Sequence, residues 1–170
     1  MLAGRLAPGN SPGTLSVAGN ATFAAGANYL WEIANATAVA GVGYDLLSVA
    51  GTLSLNASAA NPFTVTLKSL LANGSAGLAA GFDAGQDHSY TLAYASGGIL
   101  GFSAGEFSID GSGFANALLG GQWSVAASGN ALNLNFTAAV PEPGTYAMLL
   151  AGLLVVGRVA RRRLGKVARP

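Results

Sequence analysis

Residues 1–139 predict an all-β body, β-solenoid-like with a β-sandwich as the alternative, and residues 140–170 predict a separate segment built on one C-terminal transmembrane helix. Three observations carry this reading. Short apolar runs alternate with period two between clusters of Gly, Asn and Ser, as strands with one buried face do. A module of strand, glycine turn and strand recurs along the body. From Tyr146 the texture switches to an unbroken apolar run that ends among arginines.

The strands follow in order. Thr14–Val17 opens the series, and in the next run Tyr29, Trp31 and Ile33 point one way while Leu30 and Glu32 point the other. Leu46–Val49 and Thr52–Leu55 come next, then Phe63–Lys68, which alternates without a fault. Tyr90–Tyr94, Phe107–Ile109 and Trp123–Ala127 lead to Leu132–Thr137, where Leu132, Leu134 and Phe136 face in and Asn133, Asn135 and Thr137 face out. About ten short strands joined by small residues suit an all-β domain. Between Leu70 and Asp87 the alternation dissolves, and four glycines there weigh against a helix at about 1 kcal/mol each relative to Ala. This stretch reads as a long surface loop with at most a helical turn.

The module appears at Ser16–Phe23, Ser48–Leu55 and Ser124–Leu132, with starts 32 and 76 residues apart. Stacked coils that bury a continuous core would use such a unit. A sandwich built of hairpins predicts the same string, so parallel and antiparallel pairing both remain open.

Composition excludes several chemistries. The 170 residues include 25 Gly, only 9% charged residues, a single His and no Cys. Thiolate metal sites, disulfides and cysteine nucleophiles are therefore out, and His88 alone makes a histidine metal site or proton relay an unpromising reading. Residues 1–140 carry Arg5 and Lys68 against Glu32, Asp45, Asp83, Asp87, Glu106 and Asp110, a net of −4, whereas residues 141–170 carry a net of +5. An acidic body gives no reason to bind nucleic acid, which needs clustered Lys and Arg.

The apolar run Tyr146–Gly157 has twelve residues, about 18 Å of helix at ~1.5 Å per residue. A bilayer core needs ~17–25 residues, and Gly144–Ala160 supplies seventeen if Arg158 snorkels toward the headgroups. A hydrophobic helix over 146–160 and a basic tail over 158–170 follow. Arg158, Arg161, Arg162 and Arg163 place that tail in the cytoplasm and the body outside.

Residues 140–145, Val140-Pro141-Glu142-Pro143-Gly144-Thr145, precede this helix and basic end. The three parts in this order closely resemble the PEP-CTERM sorting signal of Gram-negative bacteria. The resemblance implies processing near Pro141, Glu142 and Pro143 by exosortase, a membrane protease and transpeptidase. It implies a protein held transiently in the inner membrane and then delivered to the cell surface or extracellular matrix, with exopolysaccharide as a partner. Two prolines hold the chain extended and remove two N–H donors, which suits a segment presented to a processing enzyme. The body, over residues 8–56, resembles the β-strand repeats associated with autotransporter passengers. Pro8-Gly9-Asn10-Ser11-Pro12-Gly13-Thr14 and Tyr44-Asp45-Leu46-Leu47 carry that likeness. Met1–Pro8 departs from an export signal, because it lacks a basic start followed by a 7–15-residue apolar core. The expectation is that residues 1–139 form the C-terminal part of a longer exported region.

Catalytic constellations are few. Gly101-Phe102-Ser103-Ala104-Gly105 fits the Gly-x-Ser-x-Gly elbow, but that elbow needs a helix after it and a His downstream. Asp83, Asp87 and His88 are the candidate metal ligands, with solvated loop acids as the favoured alternative. Glu106 and Asp110 would share a strand face as a glycosidase pair does, against a plainer reading as isolated surface acids. Asn20, Asn35, Asn56, Asn73 and Asn135 open Asn-x-Ser/Thr sequons, better read as turn and strand-face polars. Tyr29, Trp31, Tyr90, Tyr94 and Trp123 would stack on sugars if exposed, though their alternation fits a core. The expectation is a structural envelope or matrix protein without catalytic activity, cofactor or metal. A carbohydrate-binding or adhesive module is the alternative.

Overall fold

The computed structural model describes residues 4–9, 11–140, 144, 148–156 and 158. The chain divides into two compact units, residues 1–138 and residues 139–170.

The first unit is mostly β-strand. Its strands are β1 (Arg5–Leu6), β2 (Thr14–Val17), β3 (Ala21–Ala24), β4 (Asn28–Ile33), β5 (Leu46–Val49), β6 (Leu53–Asn56), β7 (Phe63–Ser69), β8 (His88–Ala95), β9 (Ile99–Leu100), β10 (Phe107–Gly113), β11 (Gln122–Ser128) and β12 (Ala131–Thr137). They form three sheets, ordered β11-β12-β8-β5-β2, β3-β6-β9 and β1-β4-β7-β10. From β2 to β10 the chain visits the three sheets in the same order three times, and every pairing among those strands is parallel. The pairing that the sequence left open is thus parallel through these turns. Among the named strands, the closing hairpin β11–β12 adds the antiparallel pairs, β12 on β8 and β11 on β12.

The first two copies of the module stack in register: Ser16 lies beside Ser48, Val17 beside Val49, Ala21 beside Leu53 and Phe23 beside Leu55. In each, the glycine turn carries the chain from one sheet to the next. The third copy behaves differently, because Gly129 takes a left-handed φ of +57° and folds the module back on itself as the β11–β12 hairpin. The segment that stacks on Ser48-Val49 is instead Tyr94-Ala95, followed by Ile99 on Leu53. Its side chains differ in size from Ser and Val, which hid it in the sequence.

The corner between the first two sheets explains the recurring glycine. A Cβ on Gly51 would stand 2.9 Å from the carbonyl carbon of Gly19, and one on Gly97 would stand 2.8 Å from that of Gly51. Neither glycine needs a left-handed backbone; each is required because the backbone of the preceding turn lies against it. Asn20 Oδ1 bridges the same corner by accepting the Thr52 N–H at 2.9 Å. Gly97→Ala is expected to lower unfolding free energy by ~1–3 kcal/mol, as overpacking does, in urea denaturation. Unchanged stability would mean that the corner yields without cost.

Inward residues of the three sheets meet in one core, with Phe23 stacked on Phe63 at 4.1 Å between ring centroids and Tyr29 edge-on to Phe23 at 6.3 Å. Strand β4 departs from the expected alternation. Tyr29, Trp31 and Ile33 face the core, yet Leu30 and Glu32 on the other face are also buried. Ser11 and Lys68 bond to Glu32 there. Residues 70–87 form the expected loop, which contains no helix.

In the second unit, residues 148–156 are helical and exposed. Among the described residues, no helix is long and apolar enough to cross a membrane. The remainder of the 146–160 run lies outside them.

Candidate functional site

The segment that leaves the body is pinned at its start. After β12, the Ala138 N–H donates to Asp87 Oδ1 at 2.8 Å. Ala139 and Val140 beyond it are exposed. Asp87, a candidate metal ligand in the sequence, is thus a bracket that ends the body where the sorting segment begins. Pro141, Glu142, Pro143, Arg161, Arg162 and Arg163 lie outside the described residues. Arg158 is exposed in a helical residue. Met148, Leu149, Leu150, Leu153, Leu154, Val155 and Val156 are all exposed. A helix apolar on every side belongs in a protein core or in lipid rather than in water.

Within the body, the densest polar cluster joins successive turns. Asp45 is fully buried; its Oδ1 accepts the Gly13 N–H at 2.8 Å and its Oδ2 accepts the Glu32 N–H at 3.0 Å. Its backbone carbonyl accepts Trp31 Nε1–H at 3.0 Å. Beside it, Glu32 Oε1 accepts from Lys68 Nζ at 2.8 Å and Oε2 accepts from Ser11 Oγ. Burial pushes the Asp45 carboxyl up to about 7; the bonds from Gly13 and Glu32 oppose this and the Glu32 charge adds to it. Tyr29, whose hydroxyl donates to the Leu92 carbonyl at 3.0 Å, is also raised, by burial first and by Asp45 second. Every oxygen of the two carboxylates is engaged, by a backbone N–H, by the Ser11 hydroxyl or by the Lys68 ammonium, so the cluster fastens turns together. The sequence placed Glu32 on the outward face of its strand and Asp45 in a repeat-like segment, and assigned neither a bonding role. Asp45 was legible through its place in Tyr44-Asp45-Leu46, but nothing local revealed that Gly13 would lie against it.

The remaining candidates are dispersed. Asp83 caps its own loop, accepting the Gly85 N–H at 2.9 Å and Gln86 Nε2–H at 3.1 Å, while its carbonyl lies 2.7 Å from His88 Nε2. Because a carbonyl only accepts, Nε2 carries the proton. Among the described residues no group of three or more His, Asp or Glu is placed to hold a metal. Ser103 leads into a three-residue 3-10 helix, Ala104–Glu106, and then strand β10. Glu106 therefore ends that helix and does not share the strand of Asp110, whose carboxyl is held below the usual range by the Ser112 N–H. Of the sequon asparagines, Asn35 and Asn73 close loops onto Thr37 and Ser75, and Asn135 accepts from Ser89 at 2.7 Å. Tyr29, Trp31 and Tyr90 are buried, Trp123 is half-buried and Tyr94 is exposed.

Tyr90 and Trp123 stand in one aromatic cluster, 6.2 Å apart by ring centroid. The Tyr90 hydroxyl and Trp123 Nε1 are buried without a hydrogen-bond partner among the described residues. Removing an unpaired buried hydroxyl relieves a desolvation cost. Tyr90→Phe is therefore expected to leave thermal stability unchanged or to raise it by up to ~1 kcal/mol. A clear loss would show that the hydroxyl has a partner such as an internal water.

Residues 139–163 match the protein family described as the PEP-CTERM protein-sorting motif. The chain therefore carries a C-terminal signal for export, sorted through exosortase-related processing, and its route passes the membrane. Comparison with curated proteins and with solved structures gave no match.

Proposed function

We propose that the chain is a structural protein of the cell envelope or extracellular matrix, exported and then processed through residues 140–170. The match of residues 139–163 to the sorting motif carries this reading. The apolar run over 146–160 crosses the inner membrane as one helix, with Arg158, Arg161, Arg162 and Arg163 on the cytoplasmic side. An exosortase-type protease or transpeptidase acts near Pro141, Glu142 and Pro143, and the body is then released or transferred to the surface, where exopolysaccharide is its partner. The body is a three-sided β-solenoid, a reading supported by the parallel pairing of strands in the order β2-β5-β8, β3-β6-β9 and β4-β7-β10. Its likeness to autotransporter-passenger repeats is supported by the way its two motif segments stack, Thr14 on Leu46 with Gly13 bonded to Asp45. A non-enzymatic role is supported by the engagement of Glu32, Asp45, Asp83 and Asp87 in structural bonds.

Mass spectrometry of both termini of the protein, isolated from the envelope and medium of its native host, tests the proposal. A mature C-terminus near Pro141–Thr145 is expected, free or carrying an added group. An intact Pro170 in the membrane fraction would overturn processing and make the C-terminal segment a permanent anchor.

A further inference from the structure

Strand β1 is the last side of a turn. In the three turns from β2 to β10 the chain runs through the three sheets in the order β2-β3-β4, β5-β6-β7 and β8-β9-β10. β1 belongs to the third sheet and lies parallel to β4, with Arg5 beside Asn28 and Leu6 beside Tyr29. It therefore sits beside β4 as β4 sits beside β7, and the two sides that come before it in such a turn fall on β2 and β3.

Those two strands are sheet edges. Leu15 and Val17 of β2 are half-buried, whereas Leu47 and Val49, stacked on them in the next turn, are 0% and 1% exposed. The corner between β2 and β3 gives a sharper sign. The N–H groups of Ala50 and Gly51 donate to the carbonyls of Val17 and Gly19 at 2.9 and 3.1 Å, and those of Ser96 and Gly97 donate to Val49 and Gly51 at 3.0 and 2.9 Å. Ala18 and Gly19 hold the same places one turn earlier, and among the described residues no backbone carbonyl accepts from either. A Cβ on Gly19 would meet nothing within 4 Å, and its φ is not left-handed. Neither space nor backbone conformation thus calls for glycine at residue 19, yet backbone lying against it, as at Gly51 and Gly97, would.

The two ends of the stack also differ in how their edges are guarded. At the far end β12 covers the edge of β8, β9 has only two residues, and β10 carries Asp110 and a register shift. Short, charged, irregular or covered edges resist further pairing. β2 and β3 contain no charge and no proline and pair without irregularity, and a bare edge of that kind takes another strand through its main chain. On the solenoid reading of the exported body, on which this rests, we infer that the polypeptide ahead of β1 forms two more parallel strands, one on β2 and one on β3. Their corner packs on Gly19 and accepts the N–H groups of Ala18 and Gly19. In the complete turns the first strand starts 14, 17 and 19 residues before the third, from Thr14 to Asn28, Leu46 to Phe63 and His88 to Phe107. A segment of that length ahead of Arg5 completes the turn.

The test compares the protein purified from its native host with the 170-residue chain expressed from Met1. Trypsin is expected to release from the native protein a peptide that ends at Arg5 and extends ahead of Met1. Hydrogen exchange at Ala18 and Gly19 is expected to be at least ten-fold slower in the native protein than in the 170-residue chain. Gly19→Ala should cause no loss of stability in the 170-residue chain but lower the urea midpoint of the native protein, as Gly97→Ala does. A native chain that starts at Met1 or later overturns the inference, and slow exchange at Gly19 in such a chain would assign the edge to a separate polypeptide. A longer native chain with equally fast exchange also overturns it, because the added segment then lies elsewhere. Slow exchange at Gly51 and Gly97 in both proteins reports the stacked turns themselves; fast exchange there would overturn the solenoid and this inference with it. The C-terminus read from the same native sample tests the sorting reading separately.

Discussion

Replacing Pro141, Glu142 and Pro143 together by alanine is expected to leave a folded body that keeps its C-terminal residues and stays with the membrane fraction. The effect should be close to all-or-none if, as proposed, the processing enzyme grips an extended segment at these three residues. Two prolines exclude helix at and before their own positions; three alanines instead favour continuation of the apolar helix upstream. The body should not notice. Its last strand is closed by the bond from Ala138 to Asp87, ahead of the motif, and its core draws on residues no later than Phe136. Immunoblotting of membrane and medium, with mass spectrometry of the C-terminus, reads the result. Normal maturation of the triple variant would sink the assignment of the motif, whereas loss of the protein altogether would show that the substitution reaches the fold.

The largest expected effect on stability falls on Asp45. Asp45→Ala leaves the buried N–H of Glu32 and the half-buried N–H of Gly13 without their acceptor, at about 1–3 kcal/mol for an orphaned buried group. A loss of about 2–4 kcal/mol is expected in denaturant titration, large against the 5–15 kcal/mol typical of a domain. Asp45→Asn should recover little, because both carboxylate oxygens accept and an amide sets an NH2 against one of the two donors.

The pH dependence has the opposite sign to that of a salt-bridged acid. Burial raises the folded-state value from 3.8 to about 7, so between these limits the native state holds a proton that the unfolded chain has released. Stability contributed by Asp45 is therefore full below about pH 4, declines as pH rises, and levels off above about pH 7. Asp45→Ala should flatten that part of the profile. A wild-type curve that rises from pH 4 to 7, with the slope carried by Asp45, would mean that the bonds from Gly13 and Glu32 outweigh burial and that the carboxylate is the stable native form.

Much of the strand content was legible because period-two alternation is a local property. Phe63–Lys68 and Leu132–Thr137 are strands, and the glycine loop over 70–87 is a loop. Some elements were not. Arg5–Leu6 and Ile99–Leu100 are two residues each, too short to alternate. The similar modules at Ser48 and Ser124 make a corner and a hairpin respectively, and only the backbone at the glycine decides between them.

The sequence by itself determined the division between an acidic, alternating body and a basic, apolar C-terminus, together with the sorting motif that joins them. These are properties of consecutive residues, and a signal read by a processing enzyme has to be linear. Tertiary structure alone decided that strands thirty or more residues apart pair in parallel, that Gly51 and Gly97 are required by the backbone beneath them, and that Asp45 meets Gly13. It also decided that three loops of unrelated sequence, bonded to one another at Ala36, Ala80 and Asn116, share one corner. Such contacts depend on how many residues each turn consumes, and the register that sets this count comes from packing the whole core at once.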